Sequence, residues 1–370
     1  MDDTAESSFS TLKSEWILIP VVIAGGLAFA LEEQLRAMGA VTSLVVAIGL
    51  IAAIIATSVR VAHHAEILAA KVGDPYGSMI LTLSAVLVEV VVLVILMEEN
   101  TSPTLARDTI FSAVMLDING IIGLAALLGG RKFGVQPYND ASGKTYGVVI
   151  LTAMGISMVI PEFIPSANWQ VYSVFSIIAM LILYWVFLRN QIGPNSYFFS
   201  YSYPDKKRAT AKPLADEPIG PSLGLLVLGI VIVGLLAEVM SAYLGDGLAA
   251  INAPLTLAAV VVAAISAAPE ILTAMRAALH NHMQVVINIA LGASLSTVVL
   301  TVPVIEAIAL FSGQPIVMAM TPVQTAMVAI TLVVAAINLN DGKTNAIEGM
   351  THLVLFGTFA VLVVLGVAGG

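Results

Sequence analysis

Two glutamates stand alone inside long apolar stretches of the sequence. Glu89 lies within LSAVLVEVVVLVI, and Glu270 lies within VVVAAISAAPEILTAM. A charged side chain in an apolar medium costs roughly a few to more than ten kcal/mol, so it usually faces a cavity or a partner. A carboxylate in such a setting can hold either a proton or a cation. Glu89 and Glu270 are therefore the first candidates for a cation- and proton-binding site.

Pro269 directly precedes Glu270. Proline lacks a backbone N–H and clashes with the carbonyl one turn earlier, so it kinks a helix and frees carbonyl oxygens, here near residues 265–266. Those oxygens and the hydroxyl of Ser266 would be oxygen ligands of the kind that hard cations prefer. The alternative is a packing kink without any ligand role.

Other polar side chains lie in the neighbouring apolar stretches. Asn288 lies in QVVINIALGASLSTVVLTVPVI and Ser112 in RDTIFSAVMLDINGIIG, and with Ser266 they are candidate cation ligands. Asp117 and Glu238 are candidates for a proton path. The serines could instead only join helices, Asp117 could lie in an aqueous mouth, and Glu238 could face water.

The structural alternative for the glutamates stays open. A single buried glutamate can be protonated and hydrogen-bonded to a backbone carbonyl without any transport role. Glu162 and Glu306, near the ends of their apolar stretches, are expected to be solvated.

The composition defines the medium around these residues. Of the 370 residues, 59% are hydrophobic and 11% are charged, and the mean hydropathy is +0.98. Soluble domains carry about 25% charged residues, so the surplus apolar surface must face lipid. The net charge of −9 comes without a basic stripe, which argues against a nucleic-acid partner. With no cysteine, disulfides and thiolate metal sites are excluded.

Apolar runs long enough to cross about 30 Å of hydrocarbon recur along the chain. They predict an all-α polytopic membrane protein with about eleven transmembrane helices. The predicted spans are 16–34, 40–62, 76–97, 108–130, 146–164, 170–189, 221–243, 251–275, 285–310, 321–338 and 351–368.

The lysines and arginines predict the orientation of these spans. With the N-terminus in the cytoplasm, the two outer-loop residues are Arg36 and Arg107, against thirteen in inner loops. Cytoplasmic loops carry such an excess, so the N-terminus is predicted to be cytoplasmic and the C-terminus periplasmic or extracellular. The inner-loop residues are Lys13, Arg60, Lys71, Arg131, Lys132, Lys144, Arg189, Lys206, Lys207, Arg208, Lys212, Arg276 and Lys343.

An internal repeat is predicted to organise the eleven helices. Glu66-Ile67-Leu68-Ala69-Ala70 resembles Asp246-Gly247-Leu248-Ala249-Ala250, and Glu89 and Glu270 are separated by nearly the same length of sequence as these two stretches. Two sets of five helices would lie inverted, with their carboxylates meeting near the midplane. The predicted parts are an N-terminal cytoplasmic tail (1–15), an extra first transmembrane helix (16–39), a first five-helix repeat (40–189), a cytoplasmic linker (190–220) and a second five-helix repeat (221–370).

Several motifs together resemble those of the cation/Ca²⁺ exchanger superfamily, in its bacterial ChaA-type Ca²⁺/H⁺ (Na⁺/H⁺) antiporter branch. The resemblance extends over nearly the whole chain. The motifs are Gly73-Asp74-Pro75-Tyr76-Gly77-Ser78, Leu81-Thr82-Leu83-Ser84 with Glu89, Arg107-Asp108-Thr109, Gly129-Gly130-Arg131-Lys132-Phe133, Ala268-Pro269-Glu270-Ile271 with Arg276 and Ala277, and Asn288-Ile289-Ala290-Leu291-Gly292-Ala293.

This resemblance implies two inverted repeats with one essential glutamate each, at Glu89 and Glu270, and polar ligands at Ser112 and Asn288. The chain departs from many eukaryotic relatives, which carry a Gly-Asn pair where Ala85–Val88 stand, and this departure bears on cation selectivity. The acidic regulatory helix of some relatives is also missing from the mainly basic, Pro-rich stretch 190–220.

The expected function is that of a secondary active antiporter in a prokaryotic inner membrane. It would exchange Ca²⁺ for H⁺ by alternating access, with both ions competing for Glu89 and Glu270, and Na⁺(K⁺)/H⁺ exchange is the alternative. A cation channel and an intramembrane enzyme are further alternatives, and no HExxH, GxSxG or phosphate loop favours the enzyme. Lipid, small cations and protons are the expected partners, and no cofactor is expected. The oligomeric state is left open.

Overall fold

The computed structural model describes residues 15–72, 76–99, 102–202, 219–254, 256–313 and 316–369. Except for Glu15, the predicted tail 1–15 lies outside these ranges, and so does the middle of the predicted linker, 203–218. The motif residues Gly73, Asp74 and Pro75 are also outside them.

The described chain is almost entirely helical. In chain order, the helices are α1 (Leu18–Ala30), α2 (Glu32–Ala37), α3 (Ala40–Val72), α4 (Tyr76–Glu99), α5 (Leu105–Met115), α6 (Ile122–Phe133), α7 (Asp140–Met154), α8 (Trp169–Ile192), α9 (Ile219–Ala250), α10 (Thr256–Leu279), α11 (Met283–Ser296), α12 (Val302–Ser312), α13 (Pro322–Asn338) and α14 (Ala346–Val364).

Among the described residues, three π-helical turns and short 3₁₀ segments continue or connect these helices. Leu116–Ile121 joins α5 to α6, Thr297–Thr301 joins α11 to α12, and Gly155–Val159 follows α7. The 3₁₀ segments are Ile160–Phe163, Ser166–Asn168 and Ser196–Phe199. Within the described ranges, two short strands, β1 (Gln136–Pro137) and β2 (Lys343–Thr344), pair antiparallel with Gln136 opposite Thr344.

Among the described residues, eight helical segments are long and apolar enough to cross a membrane. The helices α1 and α13 are apolar but shorter. The prediction of an all-helical polytopic membrane protein is confirmed, whereas the count of eleven spans and the repeat layout stay predictions. The eight segments are Ala40–Val72, Leu105–Phe133, Asp140–Phe163, Ser166–Ile192, Ile219–Ala250, Thr256–Leu279, Met283–Ser312 and Ala346–Val364.

The chain forms two compact units. The first unit, Met1–Thr101 with Tyr203–Ala253, contains α1 to α4 and α9. In it α3 and α9 approach closely at small residues: a Cβ on Gly229 would meet Val61 at 2.6 Å, and one on Gly247 would meet Leu44 at 2.5 Å. Small residues at such positions let membrane helices pack closely against each other.

The second unit, Ser102–Ser202 with Pro254–Gly370, contains the remaining helices and both strands. The backbones of helices α6 and α14 are in contact: a Cβ on Gly349 would overlap the backbone of Leu127.

Polar caps fix the starts of several helices. Thr321 and Gln324 form a reciprocal capping box at α13, and the Asn345 side chain accepts from the N–H groups of Ile347 and Glu348 at α14.

Candidate functional site

Glu270 lies in the middle of α10, in the second unit, one residue after the intrahelical Pro269. The residue is partly buried, and its Oε2 atom is buried without a hydrogen-bond partner among the described residues. Buried carboxylate oxygens are normally paired. The side chain is therefore a candidate to receive a ligand such as a proton or a cation.

The segment before Glu270 has the features expected from its sequence. Because Pro269 has no N–H, the carbonyl of Ile265 loses its usual helical donor. The Ser266 hydroxyl donates to the carbonyls of Ala263 at 3.0 Å and Val262 at 3.3 Å. The Ser266 oxygen keeps its own lone pairs and can accept or coordinate.

Ser112 is buried in α5, which packs against α10. Its hydroxyl donates to the Asp108 carbonyl at 2.6 Å. As with Ser266, this bond to the preceding turn leaves the hydroxyl oxygen able to accept.

Asp117 lies in the π-helical turn after α5 and is 2% exposed. Ser294 of α11 donates from its Oγ to Asp117 Oδ2 at 3.1 Å. This structure therefore does not place Asp117 in an aqueous mouth. The turn and α11 bring Asp117 and Ser294 together across 177 residues of sequence.

Asn288 of α11 has hydrogen bonds through both ends of its amide. Its Oδ1 accepts from Gln284 at 2.9 Å, and its Nδ2 donates to the Phe199 carbonyl at 2.8 Å. Gln284 also donates to the Ser142 hydroxyl at 3.0 Å. Asn288 thus lies in a network that joins α11, α7 and the segment after α8.

Two predicted site residues belong to the first unit. Glu89 of α4 is 4% exposed, so its carboxyl is buried as the sequence predicted. Glu238 of α9 is exposed.

The first unit also contains two ion-paired groups outside the predicted site. Arg36 contacts Asp246 at 2.5 Å and Glu32 at 2.8 Å, and its bond to Asp246 raises the pKa of the guanidinium. The buried Glu15 side chain pairs with Arg60 and lies 3.3 Å from His64 Nε2.

Among the described residues, no group of three or more histidine or acidic side chains could hold a metal.

Sequence reasoning missed a buried network around the turn that carries Asp117. Asn119 Nδ2 donates to Thr331 at 2.7 Å, and Asn119 Oδ1 lies 3.0 Å from His352 Nδ1. All three residues are at most 1% exposed. The partners are 212 and 233 residues from Asn119, so no local pattern reveals them.

A second missed group is the buried ion pair Arg107–Asp108 at the start of α5, at 2.8 Å. Gln324 donates to Asp108 at 2.7 Å and to the Ala368 carbonyl at 2.7 Å. Arg107 also donates to the Ala319 carbonyl at 3.0 Å. These bonds join α5, α13 and the C-terminal segment.

The expectation that Glu306 is solvated is wrong. Glu306 is 2% exposed in α12, because α8 covers it with Ser173 and Ser176 against its carboxyl group. Glu306 is near the end of an apolar run of sequence. The sequence of that run does not reveal that another helix covers the Glu306 side chain.

Most of the chain matches a known family. Residues 42–193 and 221–365 match the family described as "Sodium/calcium exchanger protein". The chain belongs to this family. The match covers every predicted site residue and confirms the resemblance found in the sequence.

Individual relatives agree with the assignment to this family. The "Putative ionic transporter y4hA" of Sinorhizobium fredii is 33% identical over 352 residues, which are 92% of each chain. The "Sodium-potassium/proton antiporter ChaA" of Escherichia coli is 31% identical over 330 residues, 86% of this chain and 89% of that one.

Solved structures share the fold. The structure of native YfkE superposes with a TM-score of 0.74 at 18% identity and covers 94% of this chain and 99% of that one. At this identity the likeness concerns the fold alone.

Proposed function

We propose that this protein is a secondary active antiporter that exchanges a small cation for protons across a prokaryotic inner membrane. Glu270 and Glu89 are the groups that hold either the cation or the proton. Ser112, Ser266 and Asn288 supply further cation ligands, and Asp117 and Glu238 belong to the proton path. The protein acts as a transporter and not as an enzyme, and the ions are its substrates.

The observation that carries this proposal is the state of Glu270. Its Oε2 atom is buried without a hydrogen-bond partner among the described residues, beside a proline-interrupted turn of a membrane-spanning helix. Backbone carbonyls that lack a helical donor, next to ionisable groups near the midplane, are common parts of ion sites in secondary transporters. Membership in the sodium/calcium exchanger protein family supports the same interpretation.

Charge explains why the two ions exclude each other. A carboxylate in a low-dielectric site cannot stay ionised without a compensating charge. Either protons or a cation can supply that charge, so binding of one releases the other. Alternating access then converts this competition into exchange between the two sides of the membrane.

The membrane layout is part of the proposal: eleven spans, a cytoplasmic N-terminus, and two inverted repeats of five helices after an extra first helix. The positions of two π-helical turns support the repeats: α5 and α11 begin at nearly the same separation in sequence as Glu89 and Glu270, and each of the two helices runs into a π-helical turn.

Ca²⁺ is the first candidate for the cation. Carboxylate, hydroxyl, amide and carbonyl oxygens are ligands that it prefers. YfkE, which is 19% identical to this chain in a second solved structure, is named a Ca²⁺/H⁺ antiporter.

Na⁺ or K⁺ is the second candidate. The Escherichia coli relative at 31% identity is named for sodium-potassium/proton antiport. The same carboxylates would then bind a monovalent ion.

The test uses everted membrane vesicles with an acidic interior. Ca²⁺, Na⁺ and K⁺ are added separately while proton release and cation uptake are recorded. Cation-coupled proton release supports antiport, and the ion that elicits it identifies the substrate. Cation flux without proton movement would indicate a channel, and no flux of any of the three ions would refute the proposal.

A further inference from the structure

Glu306 is a buried acidic residue of the second unit that the proposed cation site does not use. Its side chain lies in α12, within the membrane-spanning segment Met283–Ser312, and is 2% exposed. Ser173 and Ser176 of α8 lie against its carboxyl group, and they are 7% and 0% exposed. The carboxyl group is therefore enclosed between two helices of one compact unit.

One oxygen of this cluster is unsatisfied. Glu306 Oε2 is buried without a hydrogen-bond partner among the described residues. Buried polar atoms are nearly always paired with protein, water or an ion. An unpaired carboxyl oxygen in an enclosed cluster therefore points to a ligand that completes it.

The charges around Glu306 identify that ligand. Within the described part of the chain, no Lys, Arg or His faces the carboxyl group. The neighbouring titratable residue is Tyr172. The Tyr172 hydroxyl donates its hydrogen bond to the Ile156 carbonyl, at 2.7 Å. An ionised carboxylate buried without a positive partner is very costly. One carboxyl and two hydroxyls fall short of the six to eight oxygens that Ca²⁺ prefers. A single proton satisfies both the charge and the geometry.

A row of buried hydroxyls leads from Glu306 towards Asp117. Ser294, Thr297 and Thr301 follow one another at spacings of three and four residues, and each is at most 5% exposed. Ser294 already donates to Asp117. The distance from Ser294 to Glu306 along the segment is about 18 Å at 1.5 Å per residue. Hydroxyls both donate and accept, so such a row is suited to pass protons.

We propose that Glu306, with Ser173 and Ser176, is a proton-binding site that the row of hydroxyls connects to Asp117. Its role in turnover rests on the proposed antiport function, whereas proton binding itself does not depend on that function. A purely structural role makes a different prediction. A glutamate that stays neutral can be replaced by its neutral isostere glutamine without loss, while a glutamate that gains and releases a proton cannot.

The first test measures proton binding without transport. Wild-type, Glu306→Gln and Glu162→Gln proteins in lipid are titrated with acid and followed by difference infrared spectroscopy in the carboxyl region. Glu162 is exposed and serves as the matched control. We expect one protonated-carboxyl component to be absent from Glu306→Gln and retained in the control. An unchanged spectrum in Glu306→Gln, or a component that Na⁺ removes at constant pH, would overturn the proposal.

The second test measures the role in turnover. In the vesicle assay, Glu306→Gln should exchange several-fold more slowly and show an altered pH profile of the maximal rate, with the KM for the cation unchanged, because the carboxyl groups of Glu89 and Glu270 are intact. Glu306→Asp should recover part of the rate, and Ser176→Ala, which keeps the carboxyl group, should shift the pH profile. A wild-type rate and pH profile in Glu306→Gln would contradict the role. If the wild-type protein exchanges no cation, the antiport function fails, but the infrared result still decides whether Glu306 binds a proton.

Discussion

Ser294 donates a hydrogen bond from its Oγ to Oδ2 of Asp117 at 3.1 Å, and both side chains are buried. This bond joins the π-helical turn after α5 to α11 inside the second unit. It gives an intramembrane carboxyl group a defined hydroxyl partner. The proposed proton path depends on this pair.

Asp117→Asn should slow exchange while the protein remains folded, because the amide keeps a hydrogen-bonding partner for Ser294 but cannot release a proton. Ser294→Ala should have a smaller effect, since it removes one donor and leaves the Asp117 carboxyl group in place, and such a hydrogen bond contributes roughly 0.5–1.5 kcal/mol. Exchange rates against pH in vesicles test both variants. An Asp117→Asn protein with the wild-type pH profile would remove Asp117 from the path.

Pro269→Ala should weaken cation binding without destabilising α10. Alanine restores the N–H that the Ile265 carbonyl lacks, so that oxygen would no longer be free to bind a cation. The measurement is the KM for each cation in the vesicle assay, together with the Tm of the purified protein. Pro322→Ala is the control, because Pro322 stands at the first position of α13, where the N–H needs no helical partner. An unchanged KM would mean that the Ile265 carbonyl is not a ligand.

Gly349→Ala should lower the Tm. A Cβ at Gly349 would lie 2.7 Å from the Gly123 carbonyl oxygen and 2.9 Å from Ala126, so α6 and α14 would have to separate. Gly357 lies in the same helix, where a Cβ would meet nothing within 4 Å, and Gly357→Ala is therefore the matched control. Equal Tm values for the two variants would contradict the close approach of α6 and α14.

Asn119→Ala should destabilise the second unit by about 1–3 kcal/mol, because the buried Thr331 and His352 would each lose the hydrogen bond to the Asn119 side chain. Thr358→Ala, at an exposed hydroxyl of α14, should have little effect. Thermal unfolding of both variants in the same detergent gives the comparison. A Tm for Asn119→Ala as high as that of the control would show that the network contributes little.

The sequence predicted the helices well because long apolar runs have few alternatives in lipid. The span predicted at 285–310 is observed as Met283–Ser312, and the one at 170–189 as Ser166–Ile192. The span predicted at 40–62 continues to Val72, since its polar last turns remain helical although they are no longer apolar. The burial of Glu89 followed from the same apolar pattern.

Contacts across long distances in sequence could not be predicted in this way. His352 and Asn119 are 233 residues apart, and hydropathy does not specify that α14 packs on the turn beside α6. Glu306 shows the same limit, because its burial depends on which helix covers the end of its own span. Hydropathy identifies the residues that lie in the membrane, whereas packing determines which of them face one another.

Glu89 and Glu270 are proposed to hold both the cation and the proton. Cation-driven proton release is measured from vesicles that contain Glu89→Gln or Glu270→Gln, with Glu162→Gln as the control and with equal amounts of folded protein. Both variants should lose exchange with Ca²⁺, Na⁺ and K⁺, while the control exchanges at the wild-type rate. Retained exchange in Glu89→Gln and Glu270→Gln would show that these carboxyl groups do not carry the exchange.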